Sequence, residues 1–151
     1  MFPHDAISFQ AQSFFETQTT VADAYLFRQV FLNHPDVSAR KILQALKPAL
    51  RPGARVIVIE YIMPEMGSVP KYVEEGARRL DNAMYCLMKG KMREVDEWKR
   101  LVSEEVDGLR FVGWKKGEER VGHDPRSMAV LEWVYDSDDT KFKAMEDSVE
   151  V

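Results

Sequence analysis

Apolar and polar positions along the chain alternate in blocks that read as strands and helices in mixed order. Residues 6–9 are short and strand-like. After a polar stretch ending at Thr19 and Thr20, residues 24–32 form a longer apolar segment that reads as a buried strand. Asn33, His34, Pro35 and Asp36 break that run and supply a capping carboxylate. Ala39, Ile42, Leu43, Leu46 and Leu50 then recur at helical spacing until Arg51, Pro52 and Gly53 stop the pattern. Residues 54–62 follow with Val56, Ile57, Val58 and Ile59 in succession, apolar and β-branched, as in a parallel strand covered on both faces. Strand, helix and strand in this order predict a right-handed βαβ unit.

Residues 64–70 read as a loop. Beyond it Val73, Ala77, Leu80, Met84, Leu87 and Met88 mark one face of a long helix, with Glu74/Arg78 and Glu75/Arg79 as i,i+4 pairs on its solvated side. Val95, Trp98, Leu101 and Val102 mark a further helix ending near Gly108, and residues 109–114 and 127–135 fit two strands of a hairpin. From residue 136 the chain turns polar and acidic, so residues 1–135 read as one domain and 136–151 as a mobile tail. The order β, β, α, β, α, α, β, β describes an α/β fold: the second half of a doubly wound sheet closed by an antiparallel hairpin, without its first half.

Composition narrows the class. At 151 residues, 45% hydrophobic and 30% charged, the chain has the profile of a single compact domain. Its 21 basic against 25 acidic residues give a formal charge of −4, and no basic stripe is interleaved with aromatics, which argues against nucleic acid as a partner. The single cysteine, Cys86, excludes an internal disulfide framework and any cysteine-rich metal site, and no charged-then-apolar leader opens the chain. No apolar run approaches the ~20 residues of a membrane-spanning helix. The expectation is a cytoplasmic setting, without a metal and without a membrane.

Few residues are placed for chemistry. The glycines at 53, 67, 76, 90, 108, 113, 117 and 122 never form G-x-G, so no backbone cradle for a nucleotide-type cofactor is found after a first strand. His4 lies at a terminus and His123 in the hairpin loop. His34 is the best placed histidine, at a strand-to-helix turn, where the ordinary role is structural. Glu60 is more pointed: it ends an all-apolar strand, where an ionised carboxylate is costly unless it is paired or meets a cleft. Asp81 stands on the long helix within reach of the same region. Met84, Met88 and Met92, at i, i+4 and i+8, line either an aromatic-binding pocket or ordinary core.

Three runs carry a resemblance. Ser13-Phe14-Phe15-Glu16, then Ala22-Asp23-Ala24-Tyr25-Leu26-Phe27-Arg28 with Pro35-Asp36, then Val56-Ile57-Val58-Ile59-Glu60-Tyr61-Ile62-Met63-Pro64-Glu65 resemble the plant and fungal S-adenosylmethionine-dependent O-methyltransferases. The likeness continues through Leu80-Asp81 and Gly90-Lys91 and spans roughly residues 7–135. It corresponds to the C-terminal part of a class I methyltransferase fold, without the N-terminal dimerisation domain and the glycine-rich cofactor motif.

The resemblance implies a histidine base, oriented by two acidic residues, that deprotonates a substrate hydroxyl before in-line methyl transfer. Laid on a family stretch of the type ADVYLLRWILHDWPD, residues 22–36 put Leu32 at the histidine and Asn33 at the aspartate after it. Glu60 keeps the first acidic position, and Met92 takes the second, in Gly90-Lys91-Met92-Arg93 where the family has a GKER-like segment. Ser13 and Phe14 fall at the family's acidic-then-apolar pair beside the adenine, and Arg28 at its basic residue before the histidine. Leu32, Asp81, Met84, Met88 and Met92 fall on the substrate side. His34 would sit ~6 Å along a strand from the base position, two residues late. The implied substrate is a phenolic or polyketide-like small molecule of secondary metabolism. Three functions are compatible with this pattern: a truncated methyltransferase-like protein unable to methylate alone; a cofactor-independent catalyst of isomerisation, cyclisation, elimination or hydrolysis; and a noncatalytic partner of a full-length homologue. The open strand edge left by the missing half predicts either a homodimer, pairing with such a homologue, or cover by residues 7–9.

Overall fold

A computed structural model describes residues 7–116 and 128–136. Five-residue strand β1 (Ala24–Arg28) leads through a 3-10 turn at Phe31–Asn33 into helix α1 (Asp36–Leu46), and strand β2 (Arg55–Tyr61) follows. Helices α2 (Lys71–Met88) and α3 (Val95–Glu105) then precede strands β3 (Leu109–Lys116) and β4 (Met128–Tyr135). The sheet order is β1-β2-β4-β3. β1 lies parallel to β2, while β4 runs antiparallel between β2 and β3, with a bulge at Val112.

Local chemistry explains the boundaries. Pro35 precedes α1 and Asp36 opens its first turn, favourable for the helix dipole. The α1 stripe of Ala39, Ile42, Leu43 and Leu46 stops where Pro48 enters a 3-10 turn at Lys47–Ala49, so Leu50, which the spacing assigns to the helix, lies beyond it. α3 starts on a reciprocal capping box, Glu94 taking an amide of the first turn while Glu97 takes the Glu94 N–H.

The core lies on one face of the sheet. Tyr25, Val56, Val58, Leu131 and Trp133 pack against Ile42, Leu43 and Leu46 of α1 and Trp98, Leu101 and Val102 of α3. Arg40 bonds to Glu104 and Glu105 and ties the two helices together outside. Tyr25 is buried with its hydroxyl satisfied, accepting the Ala22 N–H at 3.0 Å and donating to the Ala49 carbonyl at 2.9 Å. The expectation that β2 is covered on both faces is corrected here: Ile57 and Ile59, on the second face, are only half-buried, and no helix joins the core cluster there. Right-handed crossovers place α1 and α3 on the same side, so neither of these helices lies on the second face.

Two more expectations are corrected. Residues 7–9 form no strand and do not cover the β1 edge, for Ile7 is 71% and Phe9 96% exposed. The apolar run 24–32 is a strand only to Arg28. Gln29 takes a positive φ of 55°, and the chain then coils, because the amides of Phe31 and Leu32 have a carboxylate to turn towards. The sheet therefore starts at β1, and the order is β, α, β, α, α, β, β. His4, His123 and residues 137–151 of the expected tail lie outside the described residues.

Candidate functional site

Three segments meet at the carboxyl end of β2: the turn after β1, the end of β2 itself, and the stretch Gly90 to Arg93 after α2. Glu60 shares the buried face of Val56 and Val58 and is 1% exposed. Its Oε1 accepts the N–H of Phe31 at 2.9 Å and of Leu32 at 3.3 Å, supplying the 3-10 turn with the N-terminal cap that none of its own side chains provides. Oε2 has no partner. Burial dominates, and it lifts the carboxyl from 4.5 to about 7 against the lowering effect of the backbone donors and, last, of Arg93.

Arg93, 1% exposed, fastens the same turn from the other side. Its guanidinium donates to the carbonyls of Phe31 (3.2 Å), Lys91 (3.2 Å) and His34 (2.9 Å) and to Asp36 Oδ1 (2.9 Å), and it lies 5.4 Å from the Trp98 ring centre. The Asp36 carboxyl is held below its ordinary value: desolvation raises it, but Arg93 and Lys91 together outweigh that. The backbone closes the arrangement. Lys91 N–H donates to the Leu32 carbonyl at 3.1 Å, and Met63 N–H to the Arg93 carbonyl at 3.0 Å. A Cβ on Gly90 would stand 2.1 Å from the Leu32 oxygen, so only glycine permits this approach.

The side chains that face each other here are apolar. Leu32, Met63, Ala77 and Met92 form a second cluster, joined by Tyr61, Leu80 and Met84. Met84 and Met92 thus come together with Leu32, whereas Met88 is largely exposed at the end of α2. Asp81 Oδ1 accepts the Met92 N–H at 2.7 Å, which makes it a positioner of that backbone. A cleft of about 310 Å³ opens at Met63, lined also by Ile62, Pro64, Val69, Val73 and Trp114. That volume is at the lower end of the ~300–1,000 Å³ usual for small-molecule sites.

On the β1 side, Ser13 and Phe14 border a shallow hollow of about 100 Å³ with Phe27, Ile42 and Leu46. The Phe14 and Phe15 rings each meet the His34 imidazole edge-on, with centres 5.4 Å apart. Desolvation, then Arg93, lowers the pKa of His34. Arg28 stands exposed at the end of β1. The described residues contain no group of three or more His, Cys, Asp or Glu suited to a metal. No helix among them is long and apolar enough to cross a membrane.

Arg93, Asp36 and Gly90 are the residues that periodicity does not reveal. Two of them lie in an irregular segment, and the available signal was the Gly-Lys-x-Arg spacing directly after a helix, where a buried cation needs several carbonyls.

The model of the O-methyltransferase domain matches residues 3–106. The chain belongs to the O-methyltransferase domain family. O-methyltransferase FrzF of Cladobotryum sp is 34% identical over 138 residues, 90% of this chain and 31% of that protein. The 6-hydroxytryprostatin B O-methyltransferase of Neosartorya fischeri is 34% identical over 132 residues, 87% of this chain and 30% of the relative. This O-methyltransferase-type chain thus spans about a third of the length of these curated relatives. Among solved structures, LepI in complex with SAM superposes with a TM-score of 0.71 at 22% identity, covering 89% of this chain and 32% of LepI. TnmH superposes with a TM-score of 0.69 at 26% identity, covering 85% and 35%. The fold is therefore a partial class I methyltransferase sheet with flanking helices.

In this family S-adenosylmethionine is the implied cofactor, and the described residues do not fit it by themselves. The hollow at Ser13 and Phe14 falls well short of a cofactor's size, and the Phe14 ring is engaged with Phe15 and His34. The Ser13 Oγ is turned to the Phe15 amide at 3.3 Å.

Proposed function

We propose that this chain is the substrate-side part of an O-methyltransferase-type domain of small-molecule secondary metabolism and that it does not transfer methyl groups on its own. One observation carries the reading. Leu32 and Met92 pack together in one apolar cluster, and the resemblance puts them at the family's base and second acidic positions, leaving only Glu60 of the three with a titratable group. A base must come within ~3.2 Å of the substrate proton, directly or through one water, and Leu32 offers none. His34, the alternative base, gives its carbonyl to Arg93 and its ring to two phenylalanines. Relatives named for small natural products, such as 6-hydroxytryprostatin B, support a phenolic or related substrate class.

A radiolabelled methyl-transfer assay with S-adenosylmethionine and a panel of phenols tests this. No label is expected in any phenol. Transfer by the purified chain that disappears in Glu60→Gln refutes the reading. A second reading is favoured by the Glu60 carboxyl itself: a buried acid titrating near neutrality with one unpartnered oxygen is equipped for proton transfer without a cofactor. A pericyclic reaction enzyme shares the fold. Conversion of a biosynthetic intermediate by the chain in the absence of S-adenosylmethionine, lost in Glu60→Gln, distinguishes that reading from the first.

A further inference from the structure

One aromatic ring on the packed face of the sheet is left half bare. In β3, Phe111 lies opposite Trp133 and Trp114 opposite Leu131, so both rings belong to the face that carries the core. Strict alternation would send Trp114 to the other face, and the bulge at Val112 supplies the extra residue that turns it back. Leu131 and Val58, next to Trp114 in the same cross-strand row, are 0% and 1% exposed, yet Trp114 is 48% exposed. Helix α3 accounts for the contrast. The Lys99 ammonium stands 5.4 Å from the centre of the Phe111 ring, and Val95, one turn earlier, is where the helix begins. Beyond that point Val95 and Trp114 both line the cleft that opens at Met63.

The cleft is fixed from several sides. Ile62 pairs with Arg93 in a parallel bridge, and the Met63 N–H donates to the Arg93 carbonyl at 3.0 Å. The loop that follows is tied to α2, where Glu74 Oε2 accepts the Gly67 N–H at 3.0 Å. Val69 from this loop and Val73 from the first turn of α2 complete the apolar lining. Met63 also packs with Leu32, Ala77 and Met92, so the cleft adjoins that cluster, but Leu32, Met84 and Met92 do not line it.

Size and charge indicate what fits. The volume of about 310 Å³ is roughly twice the ~150 Å³ of an apolar cavity that takes benzene, which suits two fused rings. Trp114 offers such a ring system a face for offset stacking. Glu65 and Lys116 bring opposite charges to the lining, which leaves little net field for an ion of either sign. The Glu65 side chain is exposed and has no hydrogen bond or ion pair among the described residues, so its carboxylate is open to a donor on a ligand. The Ser68 hydroxyl donates instead to the Glu65 backbone carbonyl at 2.7 Å.

We propose that this cleft is a second small-molecule site, separate from the Glu60 turn, which takes a neutral two-ring aromatic molecule stacked on Trp114 and donating an O–H or N–H to Glu65. The inference holds whether or not the chain transfers methyl groups.

The test is a titration of the isotope-labelled full chain with 2-naphthol, followed by its amide and indole N–H resonances. Saturable shifts are expected at the Trp114 indole and at the amides of Val69, Val73 and Val95. The ionised analogues 2-naphthoate and 2-naphthylmethylammonium, similar in their ring system but charged, are expected to bind roughly fivefold or more weakly. Trp114→Ala removes the stacking face and weakens 2-naphthol by roughly tenfold or more. Glu65→Ala, at an exposed position, removes the acceptor and weakens it by roughly tenfold. Unchanged indole resonances of Trp98 and Trp133 in each variant show that the core remains folded. The proposal is overturned if no saturable shift is seen, or if the shifts are confined to Leu32, Met84 and Met92. It is equally overturned by affinity that is unchanged in Trp114→Ala or in Glu65→Ala, or by an ionised analogue that binds as tightly as 2-naphthol.

Discussion

Replacing Glu60 by Gln isolates the cost of charging a carboxyl inside the turn that carries Leu32. Burial lifts this group from 4.5 to about 7 in the folded chain. Between those values the fold retains a proton that the unfolded chain has released, so stability falls as pH rises through the window and the cost vanishes below about 4.5. At about 1.4 kcal/mol per pH unit, the interval amounts to roughly 3 kcal/mol. Gln cannot ionise, and its carbonyl oxygen can still accept the Phe31 and Leu32 N–H groups. Its amide nitrogen, however, occupies the place of the unpartnered Oε2, which costs about 1–3 kcal/mol at every pH. Urea unfolding, followed by the fluorescence of buried Trp98 and Trp133, reads the difference. Glu60→Gln is expected to be the less stable protein at pH 5, and to gain roughly 3 kcal/mol relative to the parent by pH 8. His34 titrates in the opposite sense: its lowered pKa makes its contribution grow as pH rises through the ordinary histidine range. Present in both proteins, it cancels in the comparison. Parallel stability profiles between pH 5 and 8 refute the assignment of Glu60 as a buried, uncompensated acid.

Gly90→Ala drives a methyl against the Leu32 carbonyl and is expected to cost about 3 kcal/mol in denaturant unfolding; a loss under about 0.5 contradicts the close approach. Arg93→Lys keeps the charge but not the fork that reaches three carbonyls and Asp36, and a loss of about 3–5 kcal/mol is expected in the same assay. Tyr25→Phe leaves the Ala22 amide and the Ala49 carbonyl short of a partner and lowers stability by about 1–2 kcal/mol, measurable as a fall in Tm.

The regular part of the fold was legible because period and punctuation agreed. The α1 stripe and the paired strands β3 and β4 follow from local chemistry, although the helix ends at Leu46, ahead of the Arg51-Pro52-Gly53 stop, because Pro48 turns the chain first. Failure came where tertiary partners override local preference. Residues 29–32 look like strand, yet they coil around a carboxylate placed 28 residues later in the chain for Leu32. The run Val56-Ile57-Val58-Ile59 implies cover on two faces, and among the described residues it has full cover on one, because apolarity records what a strand can bury and not what buries it. At the site, Glu60 was conspicuous as a charge ending an apolar strand. Arg93 was not: a charged residue in a loop is ordinary until its surroundings are known. Asp81 read as a group for a ligand, and its bond to the Met92 amide is a contact that helical periodicity does not show.

The guanidinium of Arg93 also orders events in time. Its partners Asp36, Phe31 and His34 are 57, 62 and 59 residues distant along the chain. Closing loops of that length carries an entropy cost that contacts within β1, α1 and β2 do not face to the same degree. The turn around Leu32 therefore sets only after α2 has been traversed and residue 93 has arrived, while the neighbouring βαβ unit is free to assemble first. Until then Glu60 holds the turn alone, through the Phe31 and Leu32 amides.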